Sequence, residues 1–308
     1  MEIENKEILV TGGAGFIGSN LVHRLYKKNH VYVMDDLQTG SLGNLKDIVS
    51  DVDFIKDRVE NIKNYCLDVD YIFHIGIYSS SPMYRDNPLL IGNAINDMIN
   101  ILELARKHKS KVVYASTSSI YNGINPPHRE DVIPAVSDFY TEARIPMERI
   151  SELYNKLYDM DISAMRFFSV YGYHEKSKKI YANLVSQFLW EMHENKSPVL
   201  YGDGEQRRDF VFVDDLVDAL VMAALNNKDF NVYNVGTGKN YSLNQLVDIM
   251  NKHLKTSVKP EYIKMPVKNY VHETLADTKK SEEKIGFKAK ISLDEGIDKL
   301  IKYYNYRL

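Results

Sequence analysis

The feature that most constrains this chain lies at its start. A short apolar run, Ile8-Leu9-Val10, leads into Thr11-Gly12-Gly13-Ala14-Gly15-Phe16-Ile17-Gly18, and apolar residues then recur at helical spacing at Ile17, Leu21 and Leu25. A strand, a glycine-rich turn and a helix in that order let backbone approach a pyrophosphate and aim the helix amino terminus at it. A second strand pattern, Val31-Tyr32-Val33-Met34, ends in Asp35, 17 residues beyond Gly18. An acid there is placed to accept hydrogen bonds from the adenosine ribose. It also repels a 2′-phosphate, and Asp36-Leu37-Gln38 supplies no cation to receive one. NAD is the expected cofactor rather than NADP.

Strand and helix signals continue to alternate through the first half. Tyr71-Ile72-Phe73, Val112-Val113-Tyr114 and Ser163-Ala164-Met165-Arg166-Phe167-Phe168 read as strands, and Ile95, Ile99 and Leu102 mark a helix between them. Repeated units of this kind predict a doubly wound α/β fold, a parallel sheet covered on both faces. Helical patterns follow at roughly 181–194, 214–225 and 243–254, among short strands at Val211-Phe212-Val213 and Val232-Tyr233-Asn234-Val235. The expected division is a NAD-binding Rossmann domain over 1–170, with segments near 206–238 returning to it. Residues 171–308 then form a smaller mixed α/β lobe.

Composition narrows the function class. The chain is 44% hydrophobic and 26% charged, enough for a large core and too ordered in pattern for a disordered tail or rod. Its net charge of -3 provides no basic field for nucleic acid or an anionic membrane. The single cysteine, Cys66, allows no internal disulfide, the polar start Met1–Glu7 is unlike a signal peptide, and no run reaches the roughly 20 apolar residues of a membrane span. A cytoplasmic location is the expectation. The nine histidines show no metal-ligand spacing, so no metal site is expected.

Several motifs in sequence order resemble the extended short-chain dehydrogenase/reductases, and among them the UDP-sugar 4-epimerases. Thr11–Asn20 matches the opening motif, Asp35-Asp36-Leu37 through Gly40 the ribose loop, and Asp57-Arg58 the adenine contact. His74-Ile75-Gly76-Ile77 sits at the usual His-Leu-Ala-Ala strand end, and Asn93 at an asparagine of the next helix. Tyr114–Tyr121 resembles the strand with the catalytic Ser or Thr, here Thr117. Tyr201-Gly202-Asp203-Gly204-Glu205-Gln206-Arg207-Arg208-Asp209-Phe210 and Leu275-Ala276-Asp277-Thr278-Lys279-Lys280 match the nucleotide-sugar lobe.

The resemblance implies a mechanism with no net oxidation. Tyr140 takes the sugar 4-hydroxyl proton, with Thr117 relaying it, while hydride passes to NAD and then returns to the other face of the 4-ketose. NAD then stays bound, held by Gly12, Gly15, Phe16, Ile17, Gly18, Asp35, Asp36, Asp57, Arg58, Asn93, Tyr140 and the residue one turn on. That residue departs from the pattern. The family uses Tyr-x-x-x-Lys, whose spacing puts both side chains on one helix face, and here it reads Tyr140-Thr141-Glu142-Ala143-Arg144. Glu148 keeps the family's acidic position and supports the register. Arginine keeps the charge, so its depression of the Tyr140 pKa from the ordinary value of about 10 can survive, but its planar fork is bulkier. Pro146 is expected to kink or restart the helix.

For the substrate, the resemblance points to Ser80, Thr117, Asn183, Leu184, Tyr201 and Arg208. Ser169 stands where the family has asparagine, and Lys268 is the candidate for a missing diphosphate-binding arginine. Thr274 aligns with a gate whose small side chain admits N-acetylhexosamines. UDP-GlcNAc/UDP-GalNAc and UDP-Glc/UDP-Gal are the expected substrates. A 4,6-dehydratase would carry Asp-Glu where this chain has Ser118 and Ser119. A uronate epimerase or decarboxylase would use the loop of Ser79, Ser80, Ser81 and Arg85. A non-catalytic NAD-binding protein draws its support from Arg144. A homodimer through helices that include the tyrosine helix, with Ile145, Met147, Ile150, Leu153 and Tyr154 as a candidate face, is also implied.

Overall fold

The short apolar runs become strands because their β-branched and aromatic side chains are covered on both sides. The computed structural model describes residues 2–266 and 270–306. Its strands are β1 (Glu7–Thr11), β2 (His30–Met34), β3 (Asp53–Ile55), β4 (Tyr71–His74), β5 (Lys111–Thr117), β6 (Ile162–Phe167), β7 (Ser169–Tyr171), β8 (Val199–Tyr201), β9 (Arg207–Arg208), β10 (Phe210–Phe212), β11 (Phe230–Val235), β12 (Tyr241–Ser242) and β13 (Glu261–Ile263). Its helices are α1 (Phe16–Leu25), α2 (Ser81–Asp86), α3 (Leu90–His108), α4 (Phe139–Tyr158), α5 (Leu184–His193), α6 (Val213–Asn226), α7 (Leu243–Leu254), α8 (Lys279–Ile285) and α9 (Leu293–Tyr303).

Seven strands form one parallel sheet in the order β11-β6-β5-β4-β1-β2-β3. The chain winds outward from β1 to β3, then returns to start β4 on the other side of β1. That reversal opens a crevice at the carboxyl ends of β1 and β4. The sheet has Rossmann topology. β3 left no signal in the sequence, being three residues long and exposed at its first residue. β11 pairs with β6 from Phe230↔Ile162 to Val235↔Phe167, so the chain rejoins the main sheet after β7–β10.

One face of the sheet packs against α1 and α6 through residues such as Leu21, Val22, Leu216 and Leu220. The other packs against α3 and α4 through Met98, Ile101, Ala143 and Met147. A third apolar cluster, with Phe188, Leu246 and Leu300, unites α5, α7 and α9 and reaches Phe16 of α1. That contact seats the smaller lobe beside the crevice.

The helix does not restart at Pro146. α4 runs without interruption from Phe139 to Tyr158, with Pro146 inside it. Asp138 caps it by accepting the Thr141 N–H at 2.8 Å. Proline removes the donor that would reach the Glu142 carbonyl. The burial of Ala143 and Met147 against the sheet, on either side of Pro146, holds the helix in one piece.

Candidate active site

The crevice between β1 and β4 is an open cleft. Its floor depends on two glycines. Gly12 has φ +66°, and a Cβ there would fall 2.4 Å from Gly76 Cα, so the two strand ends approach as closely as backbone allows. Gly15 caps α1 with no side-chain hydrogen bond, and no acid occupies the first turn. The helix amino terminus therefore faces the cleft with N–H groups that no side chain competes for, the arrangement a pyrophosphate requires.

Gly12, Gly15, Phe16, Ile17, Gly18, Asp35, Asp36, Asp57 and Arg58 all line this cleft. Asp35 is 7% exposed, and its carboxylate accepts N–H bonds from Ala14 at 3.0 Å and Leu37 at 2.7 Å. Burial pushes its carboxyl up, and those bonds oppose the rise. Asn93 is not part of the wall; α3 instead presents Asp97, one turn later. Burial pushes the Asp97 carboxyl up to about 6, against the pull of Arg58. The step of four residues from Asn93 keeps the same helix face, so that arithmetic was available in the sequence. Lys178 also lines the cleft. Nothing local in the sequence marks it, because the segment 175–181 is brought there by the lobe. The cradle fits a dinucleotide.

Tyr140 is the second residue of α4 and is half-buried. One turn on, Arg144 is 2% exposed, and its guanidinium carbon lies 4.9 Å from the centre of the Tyr140 ring. The cation thus sits against the ring face. Its Nη2 donates to the Tyr78 carbonyl at 2.8 Å, and its Nη1 is 3.3 Å from the Tyr84 hydroxyl and 3.8 Å from Met147 Sδ. None of these partners is a carboxylate, and Nε has no partner among the described residues.

His74, at the end of β4, is fully buried with Nδ1 2.8 Å from Thr11 Oγ1. Burial, then the Arg144 charge, pushes it down to about 3, so it is neutral near pH 7. Thr117 ends β5, and its Oγ1 accepts the Ser119 N–H at 3.1 Å, leaving its own proton to donate. Helix α4 packs against β5 and the turn 118–121, the two elements that meet at Thr117. A buried pair anchors the helix beyond Tyr140. Glu148 bridges Arg166 of β6 at 3.0 and 2.7 Å and accepts the Ser116 hydroxyl at 2.6 Å. Arg166 also donates to the Tyr121 hydroxyl at 2.8 Å.

A glycine-rich dinucleotide cradle thus lies next to a helical tyrosine–cation pair. Residues 8–236 match the NAD dependent epimerase/dehydratase family. The chain belongs to that family. A provisionally named UDP-glucose 4-epimerase of Methanocaldococcus jannaschii is 35% identical over 303 residues, 96% of this chain and 97% of that one. The UDP-glucuronate 4-epimerase of Thermodesulfobacterium geofontis is 29% identical over 316 residues, 96% of this chain and 95% of the relative. Among solved structures, the UDP-N-acetylglucosamine 4-epimerase of Methanobrevibacter ruminantium M1, in complex with UDP-N-acetylmuramic acid, superposes with a TM-score of 0.92. It is 28% identical, and the match covers 99% of this chain and 100% of that one.

In this member of the epimerase/dehydratase family the remaining candidate residues fall into two groups. Tyr201 and Arg208 meet around Tyr270. The tyrosine rings lie 5.7 Å apart, and the Arg208 guanidinium sits 5.2 Å from the Tyr270 ring. Arg208 donates to the carbonyls of Arg207, His272 and Val271, and burial lowers its pKa because no carboxylate offsets it. An unneutralised buried guanidinium is suited to an anionic ligand. The other group is Asn183 and Leu184 at the start of α5, where Asn183 caps Val185 N–H at 3.0 Å and its own N–H donates to buried Glu175 at 2.6 Å. Ser169 opens β7 and Ser80 precedes α2, its buried Oγ without a partner among the described residues. Thr274 is 6% exposed and its hydroxyl accepts the Asp209 N–H at 3.2 Å, inside the lobe. Lys268 lies outside the described residues. Arg85, the cation considered for an acidic sugar, is exposed on α2, whereas Ser81 donates to the helix cap Asp138 at 2.7 Å. Among the described residues no group of three His, Cys, Asp or Glu side chains could hold a metal ion, and no helix is long and apolar enough to cross a membrane.

Proposed function

We propose that this protein is a UDP-sugar 4-epimerase that interconverts UDP-GlcNAc and UDP-GalNAc, or UDP-Glc and UDP-Gal, through a transient 4-keto sugar. The observation that carries this reading is the uncompensated Arg144 cation lying against Tyr140 beside the dinucleotide cleft. The Gly12–Gly18 turn and Asp35 would hold NAD, which would supply a reversible hydride acceptor for the sugar C4. Tyr140 takes and returns the 4-hydroxyl proton, Arg144 stabilises its phenolate, and Thr117 donates a hydrogen bond to the sugar oxygen. Arg208 and the α5 start with Asn183 and Leu184 hold the nucleotide diphosphate, so the sugar turns while its handle stays fixed. Thr274 leaves room for an N-acetyl group. The Rossmann part (1–170 with returning segments near 206–238) holds the cofactor and 171–308 the nucleotide sugar. Of the expected dimer face, Met147 is core and Ile150 and Tyr154 pack against it, while Leu153, exposed on α4 with Leu157 and Tyr158, supports a homodimer, and the cytoplasm is its proposed location.

The test is an NMR time course on purified protein with UDP-GlcNAc, UDP-Glc and UDP-glucuronate in separate tubes, with no cofactor added. A new anomeric signal from the C4 epimer of either neutral sugar is expected. Turnover of UDP-glucuronate alone would replace the substrate class, and bound NAD with no turnover would favour the non-catalytic reading. Tyr140→Phe should lower the rate by about a thousandfold while NAD remains bound.

A further inference from the structure

Arg144 raises a physical problem. A guanidinium carries five donors on a long stem, and without fixed acceptors it has no single orientation toward the tyrosine it must stabilise. The two outer nitrogens each have an acceptor, one from the loop after β4 and the other from α2 that follows it. Nη2 meets the Tyr78 carbonyl at 2.8 Å, and Nη1 lies 3.3 Å from the Tyr84 hydroxyl. Tyr84 is fully buried, its ring 5.6 Å from the Tyr140 ring and 6.3 Å, edge to face, from that of Tyr78.

We propose that Tyr84 is a positioning residue, whose hydroxyl accepts an N–H of Arg144 and, with the Tyr78 carbonyl, holds the guanidinium flat against Tyr140. The inference rests on the epimerase reading and adds to it a reason why arginine functions where the family has lysine. The other groups around α4 do not compete for the charge. His74 on β4 is neutral. Tyr114 on β5 is kept protonated by burial. On α4 itself, Asp138 is tied to Thr141 and Ser81, and Glu148 to Arg166. Glu142 follows in the same turn, facing no cation within bonding distance among the described residues. Glu103 on α3 is bonded to Arg106 and Tyr154. Burial also pushes the Tyr84 phenol up, against the pull of Arg144, so Tyr84 keeps its proton.

The experiment compares wild type, Tyr84→Phe, Arg144→Lys and the double variant as purified holoenzymes. Two readouts are followed: the pH profile of kcat/KM, and the tyrosinate absorbance that Tyr140→Phe removes from each background. Tyr84→Phe keeps the ring and loses the acceptor. It should move the acid limb and the tyrosinate midpoint upward together by about one pH unit, with KM unchanged. In the Arg144→Lys background it should add nothing. A rate loss without a midpoint shift, or an equal shift in both backgrounds, overturns the proposal. If the wild type turns over no UDP-sugar, the epimerase reading fails, while the tyrosinate titration still decides the role of Tyr84.

Discussion

Arg166 and Arg144 are both buried beside helix α4, with opposite surroundings. Arg166 is 4% exposed and meets Glu148 through two nitrogens, at 3.0 and 2.7 Å, so its charge is neutralised within the fold. Arg144 is 2% exposed and meets a carbonyl, a phenol and a thioether. A buried ion pair fixes geometry, whereas a buried cation without a carboxylate keeps its field available to whatever negative charge forms next to it. The first arginine fastens α4 to the sheet, and the second faces the Tyr140 ring. One arginine is paired with a carboxylate within the fold and the other is not.

Removing each in turn tests that contrast. Arg166→Met leaves Glu148 buried with only the Ser116 hydroxyl and no cation, and should cost about 3–5 kcal/mol in a denaturant titration. A loss below 1 kcal/mol would mean the pair does not anchor α4. Arg144→Met should show the reverse pattern, with the unfolding midpoint nearly unchanged and epimerisation down by about a hundredfold. Equal destabilisation by both variants would erase the distinction. Glu148→Gln keeps a hydrogen-bond acceptor for Arg166 and should cost less than Arg166→Met, about 1–3 kcal/mol. A further test concerns Asp97, whose folded-state pKa is raised from 3.8 to about 6. Between those values the folded protein binds more protons than the unfolded chain, so stability falls as pH rises through the window. Asp97→Asn should flatten stability between pH 4 and 6, and an unchanged slope would show that Asp97 titrates normally.

The parts of this site that were legible in the sequence are those whose members are close along the chain. The turn from Gly12 to Gly18, Asp35 at the next strand end, and Tyr140 with Arg144 one helical turn on each depend on local spacing, and the fold places each in or beside the cleft. Where a local rule met a packed environment the rule gave way, as at Pro146, whose helix is held by the sheet beneath it. Asn93 and Asp97 differ by one turn on the same face, and it is Asp97 that lines the cleft.

The chain's alternating pattern, its glycine turn and its tyrosine–arginine spacing determined the doubly wound sheet, the dinucleotide crevice and the likeness to UDP-sugar 4-epimerases. Those signals are local, and periodicity reports them directly. Tertiary structure alone decided that Tyr84 meets Arg144, that Lys178 reaches the cofactor cleft, and that Arg166 is neutralised while Arg144 is not. Each joins residues far apart in the chain, and whether a buried charge is paired depends on which strands and helices become neighbours.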